Sequence, residues 1–295
     1  MHDHFAKMHP IVNFTYFISV ILLAMLHTNP IMLFISFVCS MVYCTYLGGA
    51  KSLKFNFFAI FPITIFLAII NPLFNHRGMT ILTYLPNGNP ITLESVLYGI
   101  FGAFTVMTVI VWFSCYNMVI SSDKFIYLFG KIVPALSLLI SMALRFVPRF
   151  KSQFKKVIDA HKMLGMQNEK SLVGRARNVV KILSIMITWA FEDAIDTSDS
   201  MKARGYGLPG RTSFSNYRFA FKDVVVLCAL LIPLIIVIIG MVSGKTYAVF
   251  YPKITISVID AKSVLVYVCY FALNIVPMVI NVLEDIKWQR LQSKI

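Results

Sequence analysis

Three carboxylates at equal intervals, Asp193, Asp196 and Asp199, are the residues of this chain whose spacing first suggests chemistry. On one helix they could hold Mg2+ against a diphosphate, with nearby cations taking the phosphate oxygens. Two features argue against that. Residues three apart drift around a helix by about 60° per step, so the carboxylates fan out rather than converge. Such diphosphate chemistry also calls for a second aspartate-rich cluster, and the sequence has none. Glu192, Asp196 and Asp199, at i, i+4 and i+7, share one helical face instead and read as a stripe that pairs with lysines on a neighbouring helix.

Directly downstream, Lys202, Ala203, Arg204 and Gly205 offer recognition rather than catalysis. Arginine is always charged and can fork onto a carboxylate through paired hydrogen bonds. Alanine before it keeps the helix end slim, and glycine after it can take positive φ and stop the helix. Acids early and cations late also suit the partial negative charge of a helix C-terminus. A second basic stretch, Ala160-His161-Lys162-Met163-Leu164-Gly165, is likewise stopped by glycine. His2, His4 and His9 around Asp3 make a metal-binding segment conceivable, but the expected state is a frayed, solvated tail. The five cysteines, Cys39, Cys44, Cys115, Cys228 and Cys269, lie in apolar segments without a CxxC or Cys/His pairing, so neither disulfides nor a zinc site is expected. No phosphate-binding P-loop occurs, so any ATP hydrolysis belongs to another chain.

The elements that must position these residues are membrane elements. Of 295 residues, 58% are hydrophobic and 14% charged, with mean hydropathy +0.76; soluble domains carry about a quarter charged residues. Six apolar stretches read as spans: 11–26, 31–47, 57–74, 95–119, 224–242 and 263–283. Pro10 opens the first, which is read as a retained anchor because no cleavage site precedes it. A polar turn over 48–56, bearing Lys51 and Lys54, separates the second and third. Asn87-Gly88 between apolar flanks reads as a hairpin turn, Thr92 as the N-cap of the fourth span, and 247–259 as a short external strand pair. The spans carry almost no ionisable groups, which argues against a permease that holds its own substrate; Asn13, Asn117 and Asn274 can serve helix packing.

The net charge is +14, and 17 of the 27 Lys and Arg lie in residues 122–222 against 7 acids there. By the positive-inside rule that block is cytoplasmic, as are both termini when six spans are counted. Nucleic acid is a poor partner for basic residues interleaved with membrane-type apolar runs; anionic head groups or an acidic protein suit them better. Within the block, two long amphipathic helices are expected. One runs from about 135 to Gly165 with a kink near Pro148, the other from about 175 to 204, joined by a polar turn over 166–174. The chain thus divides into 1–121 (spans one to four), 122–222 (the cytoplasmic helices) and 223–295 (spans five and six with a tail): an all-α integral membrane protein with about six transmembrane helices plus two long amphipathic cytoplasmic helices.

MKARGYG (201–207), its acidic lead-in EDAIDTSDS (192–200), LRFVPRF (144–150) and NPLFNHRGMTIL (71–82) resemble the transmembrane T component of energy-coupling factor transporters, the scaffold of bacterial vitamin and metal-ion importers. The resemblance covers nearly the whole chain. It implies a non-catalytic, multi-pass subunit of a prokaryotic cell membrane, with no cofactor of its own. Its implied partners are two cytosolic ATPase subunits, which hold ATP and Mg2+, a substrate-binding membrane S component and the lipid bilayer. It further implies that the two cytoplasmic helices are coupling helices, each tip entering a groove on one ATPase subunit. Ala203, Arg204 and Gly205 match that motif fully. At the other tip, Ala160, Lys162, Leu164 and Gly165 align with it, but Leu164 stands where the family has arginine, so Lys162 or Lys156 supplies the charge there or the contact is apolar. The start departs as well: the family's Asp-Pro-Arg-x-Lys is here His9-Pro10-Ile11-Val12-Asn13. The alternative function is a Mg-dependent, prenyltransferase-like intramembrane enzyme using Asp193, Asp196 and Asp199.

Overall fold

The computed structural model describes residues 3–84, 86, 88–130, 134–165, 171–208, 217–258 and 260–292. They form helices α1 (Pro10–Leu26), α2 (Pro30–Phe74), α3 (Leu93–Val119), α4 (Ser122–Gly130), α5 (Pro134–Met163), α6 (Leu172–Ala203), α7 (Phe221–Val242) and α8 (Ala261–Gln292). Two antiparallel strand pairs complete them, β1 (Ile81–Tyr84) with β2 (Pro90–Thr92) and β3 (Ala248–Val249) with β4 (Thr255–Ile256). The chain is an all-α integral membrane protein. Pro30–Gly49, α3, α7 and α8 are long and apolar enough to cross a bilayer, while α1 and Ile60–Phe74 are shorter apolar helices. Contacts group the chain into two compact units, Met1–Phe125 with Tyr217–Ile295, and Ile126–Asn216.

In the first unit α3 packs on α2 and α1, α8 on α7 and α2, and α1 on α7. Local chemistry sets the helix starts. Asn29 accepts from Ile31 N at 2.9 Å and Pro30 takes the first turn of α2. Thr92 caps α3 by accepting from Ser95 N at 3.3 Å. Glu94, buried in the first turn of α3, accepts from Thr80 N and, at 2.6 Å, from Thr80 Oγ1. That pins the β1–β2 hairpin to the helix. The turn residue Asn87 lies outside the described residues, and Gly88 follows it with φ 79°.

Inside the bundle, some buried polar groups find partners across helices, which an apolar medium favours. Trp112 Nε1 donates to Ser36 Oγ at 3.0 Å and Tyr16 OH to the Asn274 carbonyl at 2.9 Å. All five cysteines are free thiols.

Two sequence expectations are corrected in this unit. The polar turn over 48–56 shrinks to a single break at Gly49 (φ 62°, ψ −163°), and Lys51 and Lys54 are helical beyond it. Lysine is a good helix former, and one glycine with positive φ is enough to redirect the chain. The histidines are not a solvated tail. His4 Nε2 lies 3.4 Å from Asp285 Oδ1, and His9 is buried, caps α1 by accepting from Ile11 N, and packs edge-on to Phe219. His2 lies outside the described residues.

The second unit is built on α5 and α6. Pro148 lies inside α5, which stays helical from Pro134 to Met163. Most of the turn between the helices, residues 166–170, lies outside the described residues. The short helix α4, which runs into this unit, has no counterpart in the sequence expectations; its nine residues are too few to show a periodicity.

Candidate functional site

The tips of α5 and α6 share one backbone feature, a glycine of positive φ whose N–H returns to a lysine carbonyl three residues back. At the end of α6, Arg204 is the C-cap and Gly205 takes φ 80°. Tyr206 N donates to Met201 O at 3.0 Å and Gly205 N to Lys202 O at 3.0 Å. These are the two bonds of a Schellman motif, which satisfies carbonyls the helix leaves open. At the end of α5, Gly165 takes φ 70° and its N–H donates to Lys162 O at 3.0 Å, while Leu164 N donates to Ala160 O at 3.1 Å. Counting back from the two glycines pairs Gly165 with Gly205, Leu164 with Arg204, Met163 with Ala203 and Lys162 with Lys202. Ala160, Lys162, Leu164, Gly165, Ala203 and Arg204 are all exposed, and Gly205 is partly covered.

The surroundings differ. Arg204 and Gly205 line an open groove of about 1290 Å3, together with Arg145 and Arg149 of α5 and Asp193, Asp196 and Ser200 of α6. None of residues 160–165 lines it. Among the described residues Arg204 makes no ion pair, and its side chain is exposed. The groove's other end is fastened. Arg149 Nη1 lies 2.7 Å from Asp193 Oδ1, with the carboxylate buried and the arginine largely exposed. The same guanidinium stands 5.9 Å from the centroid of Trp189, and Phe146 stacks on that indole at 5.6 Å.

This geometry corrects the reading of the acids. Among the described residues, the stripe of Glu192, Asp196 and Asp199 forms no ion pair with the lysines of α5. Asp193 reaches α5, through an arginine, while Asp199 lies 3.5 Å from Lys202 on its own helix. The reason is geometric: Asp193 is the acid of that turn that is buried, so only it faces another helix. Its engagement with Arg149 also separates it from Asp196 and Asp199, and no group of three acids, histidines or cysteines among the described residues is placed to hold a metal. What the arrangement does is clamp α6 to α5 through Asp193 and Arg149. Sequence reasoning missed Arg149 and Trp189 as partners; the aromatic pair Phe146 and Phe150 flanking Arg149 in LRFVPRF was the available signal.

Comparison with known proteins decides the family. The model of the CbiQ family, described as cobalt transport protein, matches residues 6–214. The chain belongs to that family. Among curated proteins, this CbiQ-family chain is 35% identical over 95 residues to the energy-coupling factor transporter transmembrane protein EcfT of Lactobacillus helveticus, covering 32% of the chain and 34% of that protein. It is 34% identical over 116 residues to the EcfT of Brevibacillus brevis, covering 38% of the chain and 43% of that protein. The EcfT 1 of Listeria monocytogenes is 32% identical over 99 residues, or 33% of the chain and 37% of the relative. Each match thus spans less than half of the relative's length.

Proposed function

We propose that this chain is the transmembrane coupling subunit of an energy-coupling factor importer for a vitamin or a transition-metal ion. On this reading it is non-catalytic and holds no cofactor. ATP and Mg2+ belong to two cytosolic ATPase subunits, and the imported molecule is bound by a separate S component in the membrane. Residues 1–121 and 223–295 make the membrane part, residues 122–222 the cytoplasmic coupling region, and both termini are cytoplasmic. The observation that carries the reading is the pair of glycine-capped helix tips, one of which presents Arg204, exposed and without an ion pair among the described residues, beside a groove. A capped tip holds its side chain out at low conformational cost, which suits insertion into a pocket on a partner. Motion of the ATPase subunits would move the tips, shear α5 against α6 and reorient the S component.

The experiment is co-purification of the tagged chain from its native membrane with mass identification of what accompanies it. Two ATPase subunits and a small membrane protein are expected, with ATP-dependent uptake only when all are present. Turnover of a diphosphate by the purified chain alone would overturn the reading. Orientation is checked separately: reporters at residue 167 and at the C-terminus should read cytoplasmic, and one at residue 87 external.

A further inference from the structure

Residues 3–9, ahead of α1, are folded into the first unit, and what they touch is specific. Phe5 is fully buried, edge-on to Tyr16 at 5.3 Å, and its N–H donates to Asn281 Oδ1 at 2.9 Å. Asn281 Nδ2 in turn donates to Asp3 Oδ1 at 2.9 Å, which ties the segment to α8. The other two anchors lie at the places where the chain leaves and re-enters this unit. At the exit, the buried Lys124 donates to the carbonyls of Ala6 and of Val119, the last residue of α3, the latter at 3.0 Å. With its amide oriented to satisfy both neighbours, Asn13 accepts from Lys124 Nζ at 2.9 Å and donates to Phe5 O at 3.0 Å. At the re-entry, Asp223 accepts from His9 N at 3.2 Å with one oxygen and from Ala220 N at 2.8 Å with the other. The His9 ring lies edge-on to Phe219 at 4.8 Å and to Tyr217 at 6.5 Å.

A lysine and an aspartate buried in this way are costly unless their donors and acceptors are filled. Both are. Lys124 spends its three protons on three separate pieces of chain, and Asp223 divides its two oxygens between the start of α7 and residue 9. Burial pulls the Lys124 ammonium below the ordinary lysine range, and the Asp3 carboxylate opposes that shift. A methionine would fill the space of Lys124 at lower desolvation cost, but it could not hold α3, α1 and residue 6 together.

We propose that residues 3–9 act as a strap that binds the two junctions, residues 119–125 and 217–223, so that they open and close together. Chain connectivity makes these junctions the only covalent routes between the unit Ile126–Asn216 and the rest of the protein. On the reading of a coupling subunit, the strap passes motion of α5 and α6 to α3 and α7 rather than letting it dissipate in two independent hinges; this second step rests on that reading.

Hydrogen exchange on the purified full chain tests the strap without any partner. The reporters are Ile120 and Phe125 at one junction, whose amides donate to Tyr116 O and Ser121 O, and Asp223 and Val224 at the other, whose amides donate to Ala220 O. Lys124→Met should raise exchange by about tenfold or more at Asp223 and Val224 as well as at Ile120 and Phe125. Asp223→Asn should do the reverse, loosening Ile120 and Phe125. Phe5→Ala should loosen both junctions without touching a charge, which keeps the test open if Lys124→Met does not fold. Exchange that rises only beside the changed residue would overturn the strap. With the assembled importer, loosened variants should retain ATPase capture but move less substrate per ATP hydrolysed; an unchanged ratio would overturn the transmission role. If the unaltered chain captures no ATPase subunit, the coupling-subunit reading fails, while the exchange result still judges the strap.

Discussion

The two helix tips share a backbone and differ in what it carries. Gly165 and Gly205 sit at φ 70° and 80°, and both N–H groups return to a lysine carbonyl three residues back. On that common cap, α6 presents a small residue and an arginine, and α5 presents Met163 and Leu164, 87% and 68% exposed. The cap fixes where the side chain stands; the side chain fixes what it can enter. A guanidinium asks for a carboxylate in a polar groove, whereas two large apolar side chains in water ask for an apolar socket. One fold thus offers two tips of different chemistry, which on the proposed coupling-subunit reading suits two unlike ATPase partners or two unlike sites on them.

The comparison is tested hardest by removing each head. Arg204→Ala should weaken capture of the ATPase subunits by about 2–5 kcal/mol, the cost of truncating one partner of a buried charged pair, and should abolish uptake. Arg204→Lys should recover only part, because an ammonium cannot fork. Leu164→Ala should cost about 1–2 kcal/mol through lost apolar burial, and more when Lys162 is removed too. Leu164→Arg sharpens the contrast: if the socket is apolar, capture should fall rather than rise. Pull-down and uptake assays read all four. Equal, small effects of Arg204→Ala and Leu164→Ala would reduce both tips to ordinary helix ends.

Changing the caps should erase the difference. Alanine at either glycine must adopt a left-handed conformation, at about 1–2 kcal/mol, so Gly165→Ala and Gly205→Ala should fray the last turn of α5 and α6 to similar extents. Gly205 carries a small extra cost, because an added Cβ would meet Leu208 Cδ1 at 3.2 Å, whereas one at Gly165 would meet nothing within 4 Å among the described residues. That contact is the end of a flexible side chain and can give way. Exchange at the backbone amides of 162–165 and 202–206 measures the effect. A large loss at one glycine alone would show that the two caps are not the same device.

Most of the helical framework was legible because apolar runs and local caps determine it: Pro10 and Thr92 mark the starts of α1 and α3. Arg204 and Gly205 were legible for the same reason, since a C-cap is a local structure. What could not be read depends on contacts distant in sequence. Nothing in the spacing of Asp193, Asp196 and Asp199 says which one turns toward another helix, and Arg149 is 44 residues away from the one that does. The burial of His9 depends on Phe219 and Asp223, more than 200 residues downstream. Gly49 escaped because a lysine-bearing stretch suggests a polar turn, whereas a single positive φ suffices to break a helix there.

The smallest effects concern the acids behind the Arg204 tip, and there the comparison is between Asp193 and Asp199. Asp193 is buried against Arg149 at 2.7 Å and joins the two tip-bearing helices; Asp199 is exposed and pairs at 3.5 Å with Lys202 in its own last turn. Asp193→Asn should therefore loosen α5 from α6 by about 1 kcal/mol, a charged hydrogen bond discounted because Arg149 is largely solvated. Asp199→Asn should cost no more than about 0.5 kcal/mol, as exposed i, i+3 pairs do. Asp196→Asn, with no ion pair among the described residues, should be close to neutral. Thermal stability of the purified chain ranks the three, and uptake should follow the same order. A Mg2+ site would give a different pattern. All three substitutions would then be equally severe, and Mg2+-dependent diphosphate release by the chain alone would disappear with each. Graded, mild losses in the order Asp193, Asp199, Asp196 are what a clamp between two docking helices requires, and a flat, severe pattern would overturn it.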